Sequence, residues 1–393
     1  MIVRGARIFD GMDALDGQYD VYVAEGAIVR VVPGGGEAPA GDPGEEVVDA
    51  AGRWLLPGLI DLHVHLTWNG GADPAGDITA TGPQEHLLET VANTLRYLPH
   101  GITSVRDLGS PEDACLYVAR ATESGRIPGP RVFGSGMSLI MTGGHDPFHG
   151  LPVDGPAEAL KGVRTQVAKG AHVIKISATG GVYGRAEGEG VDDTELRPEE
   201  IRMIVDEAHR RNVKVTAHAI GEQGIRECLK AGIDCIEHGH YIQKDMADIM
   251  RKQGTALVPT FYIYRHLAEG EGIPAYARAK AQKVVEQHGR ALRLAYEKGL
   301  CIGAGSDAGS PQTPHPSLHE EISALAGGGL SHRDALRAAT GNAGEILGMG
   351  GRLGVVREGA LADMILVGGN PLENLDVLRS PEIVVSRGRI VKS

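Results

Sequence analysis

Short apolar runs alternate with longer amphipathic stretches through the middle of the chain. The runs are LIDLHVHL (59–66), ITSVRDLG (102–109), RVFGSGM (131–137), VIKISATG (173–180), KVTAHA (214–219), CIEHG (235–239), ALVPTF (256–261) and CIGAGSD (301–307). Runs of this length, apolar on both faces, suit strands buried in a parallel sheet. The pattern between most of them is helical. PEEIRMIVDEAHRRN (198–212) opens on proline and an acidic first turn, with apolar residues three and four apart. ARAKAQKVVEQHGRALRLAYEKG (277–299) is the longest such stretch and ends on Gly299, a helix C-terminal signal. Eight strands alternating with helices over about 290 residues predict an α/β fold, a (β/α)8 TIM barrel. A doubly wound open sheet is the alternative, but no G-x-G-x-x-G follows a strand.

The two ends carry a different pattern. GARIFDG (5–11), YDVYVAEGAIVRVVPGG (19–35) and EVVDAAGRWLLPG (46–58) are short alternating runs broken by Gly, Pro and Asp, and GVVREGALADMILVGG (354–369) and EIVVSRGRIVKS (382–393) match them. Residues 1–56 and 352–393 are therefore expected to form one small β-sandwich domain, with 57–351 as the barrel. TWNGGADPAGDITATGPQ (67–84) and GVYGRAEGEGVDDTELRP (181–198) read as long loops following strands, where barrel active-site loops sit.

Composition narrows the partners. A net charge of −12 repels nucleic acid and anionic membrane. Aromatic residues make up 4% of the chain, too few for a base-stacking surface. Cys115, Cys228, Cys235 and Cys301 form no C-x-x-C pair, so neither a thiolate zinc site nor a disulfide framework is expected. MIVRGARIFDG lacks the apolar core of a secretory signal, and no run of 18 apolar residues occurs. A cytoplasmic protein is expected.

Polar residues recur at the C-terminal ends of the predicted strands, which converge on one mouth in a barrel. The first strand offers His63 and His65, the fourth Lys175, the fifth His218, the sixth His238 and the eighth Asp307. Each taken alone has an ordinary explanation. A strand histidine is commonly a satisfied core residue, and an aspartate in GSDAGS caps turns. Together, four imidazoles and a carboxylate make a site for a zinc-like divalent ion. Lys175 fits poorly as an ordinary residue, because a lysine inside a buried strand needs a partner. A neutral lysine amine can take up CO2 as a carbamate, which removes the buried cation and creates an anionic group able to bridge two metals.

These residues bring a resemblance into view. PGLIDLHVHL (57–66), IKISATGG (174–181), TAHA (216–219), EHG (237–239) and GSDAG (305–309), taken in order, resemble the amidohydrolase superfamily. VIKISATGGV and MTGGHD are most similar to its prolidase-like group of Xaa-Pro and Xaa-Arg/Lys dipeptidases with a carboxylated lysine. The resemblance implies a binuclear hydrolase with two divalent ions, zinc first among them, and CO2 held as the lysine carbamate. His63, His65 and Asp307 would hold the more buried ion, His218 and His238 the other, and Lys175 would bridge them. Lys175 and Asp307 would be the catalytic pair, with Asp307 shuttling the proton while a metal-bridging hydroxide attacks an amide of a dipeptide or N-acyl amino acid.

The resemblance also implies a tyrosine two residues after the fifth-strand histidine, where this chain has Ile220. Candidates for contacting substrate are His145 in GGHD, Tyr262 and Tyr264 in TFYIYRHL, and Arg185 in the loop after strand four. The expected partner is a small peptide-like molecule, with a homo-oligomer left open. Two other readings stand beside this one. A cyclic amide hydrolase of the imidazolonepropionase or hydantoinase kind is disfavoured by Lys175, and a metal-free, non-catalytic relative is disfavoured by the complete ligand set. A deaminase would need a glutamate on strand five, whereas Glu222 falls at a helix start.

Overall fold

The computed structural model describes residues 1–34, 46–184 and 188–392. Parallel strands Leu59–Val64, Ile102–Asp107 and Arg131–Gly134 form one sheet. A second holds Val173–Ser177, Lys214–Ala219, Cys235–His238 and Ala256–Val258 in chain order. The His172 amide donates to the Gly134 carbonyl at 2.9 Å and joins the two sheets. The eighth position is filled by residues 301–308, which form isolated bridges rather than a ladder. On one side the Leu257 amide donates to Cys301 O at 2.9 Å; on the other the Asp307 amide donates to His63 O at 2.8 Å and the His65 amide to Ala308 O at 2.9 Å. This closes the (β/α)8 barrel. Glycine is required there, because a Cβ on Gly305 would lie 2.6 Å from Val258 Cγ1 and 2.7 Å from His63 Cβ.

Strand periodicity decides which side chains enter the barrel. In Val173–Ser177 every residue is buried. Ile174 and Ile176 join the main apolar core, while Lys175 and Ser177 turn to the cavity at the barrel mouth. The helix Pro198–Arg210 buries Ile201, Ile204, Val205 and Ala208, the three-and-four spacing read from its sequence. The longest helix, Ala275–Glu297, is followed by Gly299 at φ +68°.

Strands from both ends of the chain share one eight-stranded sheet. Ile2–Ile8 pairs in parallel with Val47–Asp49 and Trp54–Pro57, and Met364–Val367 pairs antiparallel with Trp54–Pro57. Val3, Ile8, Val21, Ile28, Leu55, Met364 and Val385 fill a core of their own beneath it. Among the described residues no helix is long and apolar enough to cross a membrane.

Three local readings need correction. The stretch 67–84 contains a helix, Pro74–Ala80, whose N-terminus Asp73 caps by accepting the Gly76 amide; its glycines obscured that Asp-Pro start. The third run stops as a strand at Gly134, and Ser138–Ile140 pairs separately with Gly150–Pro152. The seventh stops at Val258, and the helix Phe261–Glu269 begins where a continued strand end was expected.

Candidate active site

His63, His65, Lys175, His218, His238 and Asp307 all line one cavity at the barrel mouth. Ligand atoms of His63, His65 and Asp307 lie within 4.8 Å of one another. Asp307 Oδ1 is 3.7 Å from His63 Nε2 and 3.4 Å from His65 Nε2. The imidazole rings continue the cluster: His63 and His238 have centroids 5.1 Å apart, and His218 and His238 4.5 Å apart.

Each imidazole has one nitrogen committed to the scaffold. His63 Nδ1–H donates to Glu237 Oε2 at 2.8 Å, His65 Nδ1–H to Gly109 O at 3.4 Å, and His218 Nε2–H to Gly180 O at 3.2 Å. His238 Nδ1 is 2.8 Å from Thr260 Oγ1. These bonds fix ring orientation and leave the other nitrogen's lone pair for a ligand. His238, Thr260 and Asp307 have φ of +70°, +46° and +58°, a conformation that costs non-glycine residues energy and concentrates at functional sites. The donor set fits a divalent ion: three close ligand atoms, lone pairs left by carboxylate and carbonyl acceptors, and burial of every member.

Burial and charge set the protonation states. Burial favours protonation of Glu237, but the Arg106 guanidinium at 2.7 Å and the His63 bond outweigh it and bring the carboxyl down to about 2. The same contest, with His63 and His65 as the opposing groups, holds Asp307 below the usual carboxylate range. Lys175 is 3% exposed, and among the described residues it has no ion-pair partner. Burial lowers its pKa against the pull of Glu237 and Asp307, which moves it toward the neutral amine.

His145 also reaches the cavity, with its ring 4.2 Å from that of His218. Its nitrogens are already taken: Nε2–H donates to Asp146 Oδ2 at 2.9 Å and Nδ1–H to Glu189. Gly181 permits this close packing, because a Cβ there would lie 2.1 Å from His145 Cε1. Burial opposes the charge, but Asp146 and Glu189 prevail and raise His145 from 6.5 to about 10. Its contribution to the stability of the metal-free protein is therefore complete below pH 6.5 and lost as pH rises through about 10. The loss across that window is at most about 1.4 kcal/mol per pH unit. Denaturant titrations of chelator-treated protein at stepped pH should show this decline, and His145→Gln should flatten it.

Tyr264 lines the cavity, and its hydroxyl has no hydrogen-bond partner among the described residues. Tyr262 does not line it. The segment is helical, so two residues no longer share a face, and the Tyr262 ring stacks on His266 with centroids 5.5 Å apart. Arg185 lies outside the described residues. Ile220 is fully buried in an apolar cluster with Val182, Ile263 and Leu267 behind the cavity wall. Glu222 begins the helix Glu222–Ala231 and pairs with Arg226 at 2.8 Å.

The sequence reading missed several contributors. Glu237 stood in the quoted EHG, but its role depends on Arg106, 131 residues away. Trp68 and His149 also line the cavity, each ring packed on that of His65 with centroids 4.3 and 5.2 Å away, and no spacing rule marks them.

Residues 54–391 match the model of the amidohydrolase family. The chain belongs to that family. This amidohydrolase is 33% identical to ochratoxinase of Aspergillus niger over 361 residues, which span 84% of this chain and 73% of ochratoxinase. Among solved structures, it is similar to a Xaa-Pro dipeptidase with methionine bound in its active site, at TM-score 0.89 and 28% identity, covering 100% of this chain and 99% of that one. It is also similar to a prolidase complexed with N-methylphosphonate-L-proline, at TM-score 0.90 and 31% identity, with the same coverage. The family and these relatives support a hydrolase acting on amide bonds.

Proposed function

We propose that this amidohydrolase cleaves the amide bond of a dipeptide or N-acyl amino acid, using two divalent ions held at the barrel mouth. The observation that carries this reading is the convergence of four oriented imidazoles, a strained aspartate and an unpaired buried lysine on one cavity. His63, His65 and Asp307 would hold one ion, His218 and His238 the other, and Lys175 would connect them. Ions held there, zinc first among the candidates, lower the pKa of a coordinated water towards about 7 and polarise the scissile carbonyl.

The protein's own residues do the rest. Lys175, as a neutral amine, would take up CO2 by forming an N–C bond and releasing one proton to water, and the resulting anion would offer two oxygens in place of the buried amine. Asp307, held ionised, accepts the proton lost by the attacking water and delivers it to the nitrogen of the leaving amine. Tyr264 supplies the free hydroxyl on the cavity wall and is assigned to the substrate carbonyl, for which Ile220 is unsuited. His145, with both ring nitrogens donating to Asp146 and Glu189, is assigned to packing on His218 and shaping the cavity wall. Ile263, Leu267, Val182 and Trp68 give the cavity an apolar wall for a side chain.

The test is a library of dipeptides and N-acyl amino acids incubated with zinc-loaded enzyme and read by release of free amino acid. Release from a subset that shares a C-terminal residue class is expected. No release from any member would refute the reading and favour a cyclic amide substrate.

A further inference from the structure

Glu321 lies on the helix Leu318–Gly327, outside the cavity, and is fully buried. Its Oε1 accepts the Phe261 amide at 2.9 Å and its Oε2 the Tyr262 amide at 2.7 Å. Those amides open the helix Phe261–Glu269. The N-cap residue of that helix is Thr260, a type that ordinarily caps with its own hydroxyl. Thr260 makes no such bond. It is held at φ +46°, and its Oγ1 is 2.8 Å from His238 Nδ1 instead. The carboxyl oxygens of a residue on another helix thus satisfy the amides that Thr260 leaves open, and the hydroxyl is released to orient His238.

Two further observations fit this exchange. Left-handed backbone at Thr260 and His238 persists only where the surroundings over-determine it, and the two Glu321 bonds act immediately after Thr260. The capped helix also carries Ile263, Tyr264 and Leu267 to the cavity wall.

We propose that Glu321 is a positioning residue for the metal position formed by His218 and His238: by capping the helix Phe261–Glu269 it frees Thr260 to orient His238. The proposal rests on the two-metal reading above, and the experiment separates the two. Wild type, Glu321→Gln, Thr260→Val and Thr260→Ser are purified and titrated with zinc, and ions per chain are counted by mass spectrometry alongside kcat and KM. Glutamine keeps the size of Glu321 but offers a single acceptor oxygen.

Wild type should hold two ions. Glu321→Gln should keep one tightly and bind the second about 10–100-fold more weakly, the usual effect of removing a group that orients a metal-ligating histidine. Thr260→Val should reproduce that selective loss, and Thr260→Ser should restore binding; these two variants also decide the matter if Glu321→Gln does not fold. Two ions bound with wild-type affinity in Glu321→Gln or Thr260→Val would overturn the role of Glu321. Loss of both ions together would do the same. Fewer than two ions in the wild type would refute the two-metal reading, and this role with it.

Discussion

Lys175→Ala should fold, retain at most one tightly bound metal ion per chain, and lose about a thousandfold in kcat/KM. The magnitude follows from roughly 4 kcal/mol of transition-state stabilisation lost with a metal that activates water and polarises a carbonyl, at about 1.4 kcal/mol per tenfold in rate. The direction follows from position. Lys175 is buried at the cavity, points inward between Ile174 and Ile176, and has no counter-ion among the described residues. Alanine removes a costly buried amine, so stability should hold or rise while metal binding falls. Short carboxylic acids small enough for the vacated space should restore part of the activity, because they replace the two oxygens of the carbamate. Two ions retained by Lys175→Ala, with undiminished turnover, would sink the bridging assignment.

Arg106→Met should cost about 3–5 kcal/mol of stability, the range for breaking a buried ion pair from one side. Arg106 and Glu237 meet at 2.7 Å with essentially no exposure. Glu237 also accepts hydrogen bonds from the Thr216 hydroxyl and from His63. Without the guanidinium, Glu237 is an uncompensated buried carboxylate. Adding Glu237→Gln to Arg106→Met should recover much of the loss, because neither charge then remains. Denaturant unfolding of the chelated proteins measures both changes. A loss below about 1 kcal/mol, the value of an exposed pair, would show that the charge is already neutralised another way.

Much of this molecule is legible in its pattern of residues. Buried apolar runs alternating with amphipathic stretches specify a barrel, because parallel strands need crossover helices and bury both faces. Ligand candidates were recognisable because strand ends in such a fold converge whatever their sequence separation. Tyr262 and Tyr264 were inseparable by spacing. The helix at Phe261 turns one away and brings the other to the cavity, and its start depends on a cap supplied from Glu321.

The sequence by itself determined the barrel, the terminal sheet and the strand-end positions of His63, His65, Lys175, His218, His238 and Asp307, since these follow from periodicities of two and about 3.6 residues along the chain. Only the tertiary structure decided how those residues are held. The Arg106–Glu237 pair that orients His63, the clamp of Asp146 and Glu189 on His145, and the transfer of the helix cap from Thr260 to Glu321 all involve contacts at a distance. Local pattern carries no record of such contacts, because the energy of a buried charge or a strained backbone depends on what the completed fold places beside it.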